Sequence, residues 1–451
     1  MVTPVGCQSR DASGRRVCFA TVLPAPGLCR KGFRLLHPPS PTFADLGLTP
    51  ALLKALDGCG YTAPTPVQTQ AIPAALAGRD MIASANTGTG KTAAFVLPAL
   101  QRLAVTPRAA GSFGPRVLIL SPTRELAAQS LEAVRRYSKF CRVNTGVIVG
   151  GVPYREQRQL LERRADVVVA TPGRLLDHLD RSWLDLRGIE LLILDEADRM
   201  LDLGFVEPVE RIAAACPAGR QTLLFTATVD AAMVRLAARL LNDPLRVDVA
   251  GGSVAHAAID QRLLRADNLD HKHRLLAHLA GSEEVSKAIV FAATKRDADR
   301  LAGDLEQSGH AAAALHGDMS QPQRNRTLEA LRRGRIRLLV ATDVAARGLD
   351  VADISHVINF DLPRVAEDYV HRIGRTGRAG ATGIAYSFYT GKELSQVRAI
   401  ERFLGRPLPP HTIPGLEPAP VRRPAPAAAR SGPKPPVRSK GGEAPLKRRH
   451  A

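Results

Sequence analysis

Eleven short apolar runs, separated by segments of helical length, limit this chain more than any other feature. In the first half they are Met81–Ser84, Val117–Leu120, Val147–Val149, Val167–Ala170, Leu191–Leu194 and Leu223–Phe225. In the second half they are Ile289–Phe291, Ala312–Leu315, Leu338–Ala341, Val357–Phe360 and Ile384–Phe388. Runs so short, with no polar alternation, read as parallel strands buried on both faces. The spacing predicts an α/β fold of two doubly wound parallel-sheet domains, one per half. Val249 to Ser253, with its Gly-Gly-Ser, reads as a flexible hinge. The expected boundaries are 41–248 for the first domain, 249–258 for the linker and 259–406 for the second domain.

The flanks differ in composition. Residues 1–40 hold six basic residues and one acid, Asp11. Arg-rich, acid-poor starts suit a transit peptide, but no amphipathic helix can be drawn here, which favours a disordered extension or an upstream start. Residues 407–451 hold 12 of the 33 prolines, with nine basic residues against two acids. Such a stretch has too little apolar surface to offset its ordering entropy, so a disordered basic tail is expected. It reads either as an RNA tether or as a solubilising extension.

The whole chain has a formal net charge of +19, which favours polyanionic partners, nucleic acid first. No apolar run reaches the roughly 18 residues of a membrane span. The six cysteines form no CxxC pair, which argues against a disulfide scaffold or a zinc finger and for a reducing, cytoplasmic setting.

Three motifs carry chemistry. The first run leads into Ala85-Asn86-Thr87-Gly88-Thr89-Gly90-Lys91-Thr92, close to a P-loop, with Ala85 in place of the first glycine. There Thr87, Gly88, Thr89 and Gly90 would cradle phosphates by backbone N–H groups. Lys91 would add charge, and the Thr92 hydroxyl would ligate Mg2+. The Leu191–Leu194 run ends in Asp195-Glu196-Ala197-Asp198. Asp195 suits Mg2+, partly through water, and Glu196 suits polarising the attacking water, although an acidic strand end alone is often only a helix cap. His371 to Arg378 places Arg375 and Arg378 three apart, one helical turn, so that they share a face. Paired guanidinium groups suit a phosphoryl group in transfer, and a solvated basic helix start is the plainer alternative.

Together these residues resemble a DEAD-box RNA helicase, most like the bacterial RhlE-like branch, over roughly Phe43 to Leu404. The resemblance implies two RecA-like domains that bind ATP and Mg2+ between them and RNA across both. Phe43, Gly60-Tyr61 and Pro64 to Gln68 resemble the Q motif, which implies that Gln68 reads adenine. Pro122-Thr123-Arg124, Gly151, Thr171 and Arg174 resemble the first-domain RNA contacts. Gly317, Arg324 and Thr342 resemble those of the second domain. Thr226 and Thr228 fall in the motif that couples hydrolysis to unwinding. Gly348 and Asp350 would meet the ATP ribose, and His371 would touch the acidic tetrad and report closure. Two departures from the pattern are Asn86, usually Gln, and Thr226, usually Ser.

The resemblance further implies local, non-processive unwinding by a monomer, with ribosomal precursors or the RNA decay machinery as partners. An RNA clamp or annealing chaperone is the alternative, and a DNA translocase a distant third. Aromatics are only 4% of the chain, which disfavours base stacking as the main binding mode. Deleting residues 418–451 is expected to weaken RNA binding and flatten its salt dependence, measured as log Kd against log salt. An unchanged slope would make the tail a solubiliser.

Overall fold

The computed structural model describes residues 9–10, 16–17, 41–85, 88–108, 114–162, 164–249, 259–346, 349, 351, 353–377 and 382–419. By its internal contacts the chain divides into residues 1–41 and 42–451. In the first unit the expected featureless stretch contains one short antiparallel ladder, β1 (Ser9–Arg10) with β2 (Arg16–Val17).

The larger unit holds two parallel seven-stranded sheets. The first contains β3 (Met81–Ser84), β4 (Val117–Leu120), β5 (Thr145–Ile148), β6 (Val167–Ala170), β7 (Leu191–Leu194), β8 (Gln221–Thr226) and β9 (Leu245–Asp248). The second contains β10 (Ile259–Arg265), β11 (Ala288–Phe291), β12 (Ala312–Leu315), β13 (Leu338–Ala341), β14 (His356–Asn359), β15 (Gly383–Tyr389) and β16 (Pro410–His411). The spatial orders are β5-β6-β4-β7-β8-β3-β9 and β12-β13-β11-β14-β15-β10-β16. Counted from the first strand of each sheet, both orders are third, fourth, second, fifth, sixth, first, seventh, so one topology occurs twice.

Strand alternation explains how each sheet is covered on both faces. Side chains two apart share a face. In β4, Val117 and Ile119 enter one core while Leu118 and Leu120 enter the other. The first core is closed by helices Pro50–Asp57, Pro66–Leu76, Lys91–Val105 and Arg124–Tyr137; the second by Pro172–Asp180, Val206–Ala214 and Ala231–Leu240. In β13 the same split sends Leu339 and Ala341 one way and Leu338 and Val340 the other. Parallel strands under two helical layers present their loops at the carboxyl ends, where the motifs stand.

Each of the eleven apolar runs meets a strand, with Val149 and Phe360 falling one residue past the ends of β5 and β14. In the larger unit the three strands not anticipated are β9, β10 and β16. In β9 only Val247 is buried, as suits an edge strand, and β10 interrupts its apolar residues with Asp260, Gln261 and Arg262. β16 corrects the expectation that residue 407 begins a disordered tail. Pro410 and His411 pair with Leu263 and Leu264 at the sheet edge, where the missing proline N–H does no harm. Leu408 and Ile413 are buried, His271 Nε2 lies 3.0 Å from the Leu416 carbonyl, and Asp267 accepts from the Ala419 N–H. The second domain therefore extends through Ala419. The hinge from 250 to 258 and the tail from 420 onward lie outside the described residues. Ile413→Ala should lower stability by about 2 kcal/mol, read as a drop in urea midpoint, because it empties a buried site; an unchanged midpoint would leave 407–419 as a surface appendage.

Candidate active site

A cleft of about 330 Å3 opens where the carboxyl ends of β3 and β7 face the second domain. Gly88, Gly90, Lys91, Thr92, Asp195 and Glu196 line it from the first domain; Leu349 and Arg375 line it from the second. Gly88 and Gly90 turn the chain with φ of 84° and 91°, backbone that L side chains rarely adopt. The turn aims the N-terminus of the fifteen-residue helix Lys91–Val105 into the cleft, the geometry that suits phosphate. Lys91 is buried there, its ammonium donating to the Ala85 carbonyl at 2.7 Å and the Thr226 carbonyl at 3.5 Å.

Asp195 directly follows β7, with its N–H donating to the Leu120 carbonyl at 2.9 Å. Burial, and then the neighbouring charge of Glu196, hold its carboxyl above the ordinary carboxylate range, and Lys91 opposes the shift. A cation beside Asp195 would offset both its burial and the repulsion from Glu196. Asp195 and the Thr92 hydroxyl share the cleft, so the residues fit a bound Mg2+. Glu196 has φ of 53°, left-handed backbone at a non-glycine residue, and it is 7% exposed. Such strain persists only where surrounding packing imposes it. Asp198 serves the coupling motif: its Oδ2 accepts from Ala227 N, Thr228 N and Thr228 Oγ1 at 2.9, 3.0 and 3.3 Å. Thr226, fully buried, donates its hydroxyl to the Thr228 carbonyl at 2.7 Å.

Other expected site residues surround the cleft. Gln68 does not line the cleft. Its Oε1 accepts from Thr65 N at 3.0 Å and its Nε2 donates to the Gly90 carbonyl at 3.1 Å, so it braces the P-loop. Phe43 is buried and stacks on Tyr61, and Tyr61 shares a 3.0 Å hydroxyl contact with Tyr137; the two tyrosines line the cleft. Burial, helped by that contact, raises the Tyr137 phenol above its usual value and keeps it neutral. Arg375 is not on a helix with its neighbour: the helix Ala366–Ile373 ends before it, and Gly374 caps the end. A turn carries Arg375 into the cleft, 5% exposed, with Nη1 donating to the Leu349 carbonyl at 2.9 Å. His371, in the last helical turn, lines a smaller cavity beside Arg199, one residue past the tetrad. Thr89 lies in the P-loop turn; Thr87, Gly348, Asp350 and Arg378 lie outside the described residues.

The loops expected to contact RNA gather at strand ends. Pro122 and Thr123 follow β4, and Thr123 caps the helix Arg124–Tyr137 by accepting from Leu126 N. Arg124 packs so closely on Gly150 and Gly151 that a Cβ at Gly151 would overlap its guanidinium. Gln157 pins that loop by bonds to Val149 and Val152. Thr171 precedes the helix Pro172–Asp180, and Arg174 donates to the Val152 carbonyl at 2.8 Å while lying 4.2 Å over the Tyr154 ring. In the second domain, Gly317 follows β12 and is exposed, and Thr342 follows β13. Arg324, expected on RNA, is instead buried. It bonds Glu125 Oε1 of the first domain at 3.0 and 2.7 Å and the His316 carbonyl at 3.3 Å. Arg124 reaches Gln321 at 3.2 Å, a second link between the domains. Sequence reasoning placed Glu125 only within the motif that resembles the first-domain RNA contacts, and it missed Tyr137 and Arg199. Only Arg199 left a signal, since it stands three residues, about one helical turn, after Glu196.

Gly90→Ala tests the cradle. A Cβ there would overlap Gln68 Nε2, at a backbone angle alanine resists. A loss of at least about tenfold in affinity for a fluorescent ATP analogue is expected, roughly 1.4 kcal/mol; unchanged affinity would remove the P-loop from nucleotide binding.

Comparison with known proteins accords with this site. Residues 65–236 match the DEAD/DEAH box helicase family, and residues 270–380 match the helicase conserved C-terminal domain. The chain is 46% identical over 377 residues to the ATP-dependent RNA helicase SrmB of Haemophilus influenzae, covering 83% of this chain and 86% of that one. It is 44% identical over 378 residues to SrmB of Escherichia coli, covering 84% and 85%. Among solved structures it is similar to Dbp5 of S. cerevisiae bound to RNA and ADP BeF3, with TM-score 0.74 and 35% identity over 82% of this chain and 95% of that one. It is also similar to Mss116p bound to ssRNA and AMP-PNP, with TM-score 0.75 and 29% identity over 83% and 80%. A P-loop, an acidic tetrad and a second-domain arginine meeting in one cleft, on a fold shared with these proteins, show that the chain belongs to the DEAD-box family of RNA helicases.

Proposed function

We propose that this chain hydrolyses ATP in response to RNA and uses the closure of its two domains to open short RNA duplexes locally, without processive travel. One observation carries the reading: Lys91, Thr92, Asp195 and Glu196 of one domain and Arg375 of the other line a single cleft. Neither half is a complete phosphoryl-transfer site alone, so turnover depends on apposition.

The residues divide the work. Gly88, Gly90 and Lys91 bind and orient the phosphates. Thr92 and Asp195 would hold Mg2+, which when bound would neutralise phosphate charge. Glu196 orients and takes the proton of the attacking water. Arg375 places its guanidinium where negative charge gathers in the transition state, and exclusion of water strengthens that contact. Asp198 transmits the state of the tetrad to Thr228 through its shared hydrogen bonds. Arg124 and Arg174, in the first turns of their helices, and Gly151 and Thr342, just past strand ends, contact the RNA backbone. Contacts of this kind carry little sequence preference. Free thiols at Cys59, Cys141 and Cys216 support a reducing cytoplasm as its setting. A monomer acting on ribosomal precursors or decay intermediates suits an opener of low specificity.

The test is release of a labelled strand from a short RNA duplex, with ATP and without. ATP-dependent release is expected; RNA held tightly with ATP but never released would mark a clamp, and equal ATPase stimulation by DNA a DNA translocase. Arg375→Ala should lower RNA-stimulated kcat by on the order of 10³ with little change in KM for ATP. An effect confined to KM would make Arg375 a binding residue only.

A further inference from the structure

Arg199 is the bulkiest fully buried side chain among the described residues, 1% exposed. Its Nε, Nη1 and Nη2 all lack a hydrogen-bond partner. Its ion-pair contact is Glu196 Oε2, 3.2 Å from Nε but outside hydrogen-bonding geometry, and that oxygen too has no hydrogen-bond partner. A guanidinium taken out of water with five N–H donors unspent is costly, and one imperfect ion pair does not offset the cost. Such a group survives where it is used.

Its surroundings indicate the use. Arg199 does not line the nucleotide cleft, whereas Glu196 does. Arg199 instead lines a cavity of about 10 Å3 whose other walls are second-domain residues, among them Phe291, Asp343, Asp368 and His371. Asp343 is already engaged by Arg372 at 2.6 and 2.7 Å, which makes that wall stiff. The guanidinium is therefore trapped between Glu196 on one side and the second domain on the other. Glu196, with its left-handed backbone, needs an external constraint to keep its carboxylate aimed.

We propose that Arg199 is a positioning residue: it holds Glu196 Oε2 so that the other carboxylate oxygen meets the attacking water, and it does so only while the second domain packs against it. Domain closure then acts on hydrolysis twice, by delivering Arg375 and by fixing the general base through Arg199. This rests on the ATPase reading above and assigns to that reaction one further residue.

The experiment uses the full chain with saturating single-stranded RNA. Arg199→Met removes charge and fork at similar bulk; Arg199→Lys keeps the charge without the fork. Arg199→Met should lower kcat by about 10- to 100-fold, less than the ~10²–10⁴ a general base supplies, with KM for ATP within about threefold. Arg199→Lys should fold as the parent and recover part of kcat, and it carries the test alone if the Met variant does not fold. In a Glu196→Gln background, measured by single-turnover hydrolysis, adding Arg199→Met should cost nothing more, because Arg199 acts through Glu196. A further loss in that background, a change confined to KM, or parental kcat in a folded variant overturns the inference while an active parent leaves the ATPase reading standing. An inactive parent removes both.

Discussion

The site is organised by two carboxylates buried side by side at the end of a strand. β7 delivers Asp195 and Glu196, at 5% and 7% exposure, into a cleft that Lys91 and Arg136 also line from the first domain. Burial first, and repulsion from Glu196 second, raise the Asp195 carboxyl above the ordinary carboxylate range. Much of the architecture answers this one expense. Lys91 is anchored by two carbonyls, Arg199 is buried beside Glu196, and Arg375 is turned inward from the other domain. The strain at Glu196 belongs to the same account, since the carboxylates are held where function wants them and not where solvent would take them.

The second domain contributes more than a finger. Arg324 with Glu125 and Arg124 with Gln321 tie the loops after β4 to the helix Gln321–Arg332. The Arg324 pair is shielded on both sides, so its loss would strand a buried charge. These links join the stretch expected to touch RNA to the domain that carries Arg375. Events at the RNA-facing loops and at the nucleotide are thereby made parts of one closed arrangement.

Most of the fold was legible because buried parallel strands leave a run of apolar residues with no alternation. β4, β6, β7, β12 and β13 have the bounds of their runs. The strands that escaped are edge or half-polar ones: β9 buries a single valine, and β16 hides in a proline-rich stretch whose burial depends on Leu263 and His271, far away in sequence. The site was legible where a motif has local spacing, as in the P-loop and the tetrad. It was not legible where a partner comes from elsewhere. Nothing in the spacing shows that Gln68 is spent on Gly90, that Arg324 faces Glu125, or that Arg375 leaves its helix at Gly374 before reaching the cleft.

The repeated strand order has a consequence of its own. Two like-wound halves carry their working loops on the same rim, so neither can meet the other productively except rim to rim. What distinguishes them is allotment: one rim bears the phosphate cradle and the acids, the other the arginine. A nick in the connector would yield two well-folded fragments, each chemically mute, whose combined competence depends on their concentration. Covalent linkage is thus what turns a second-order encounter into a built-in stroke.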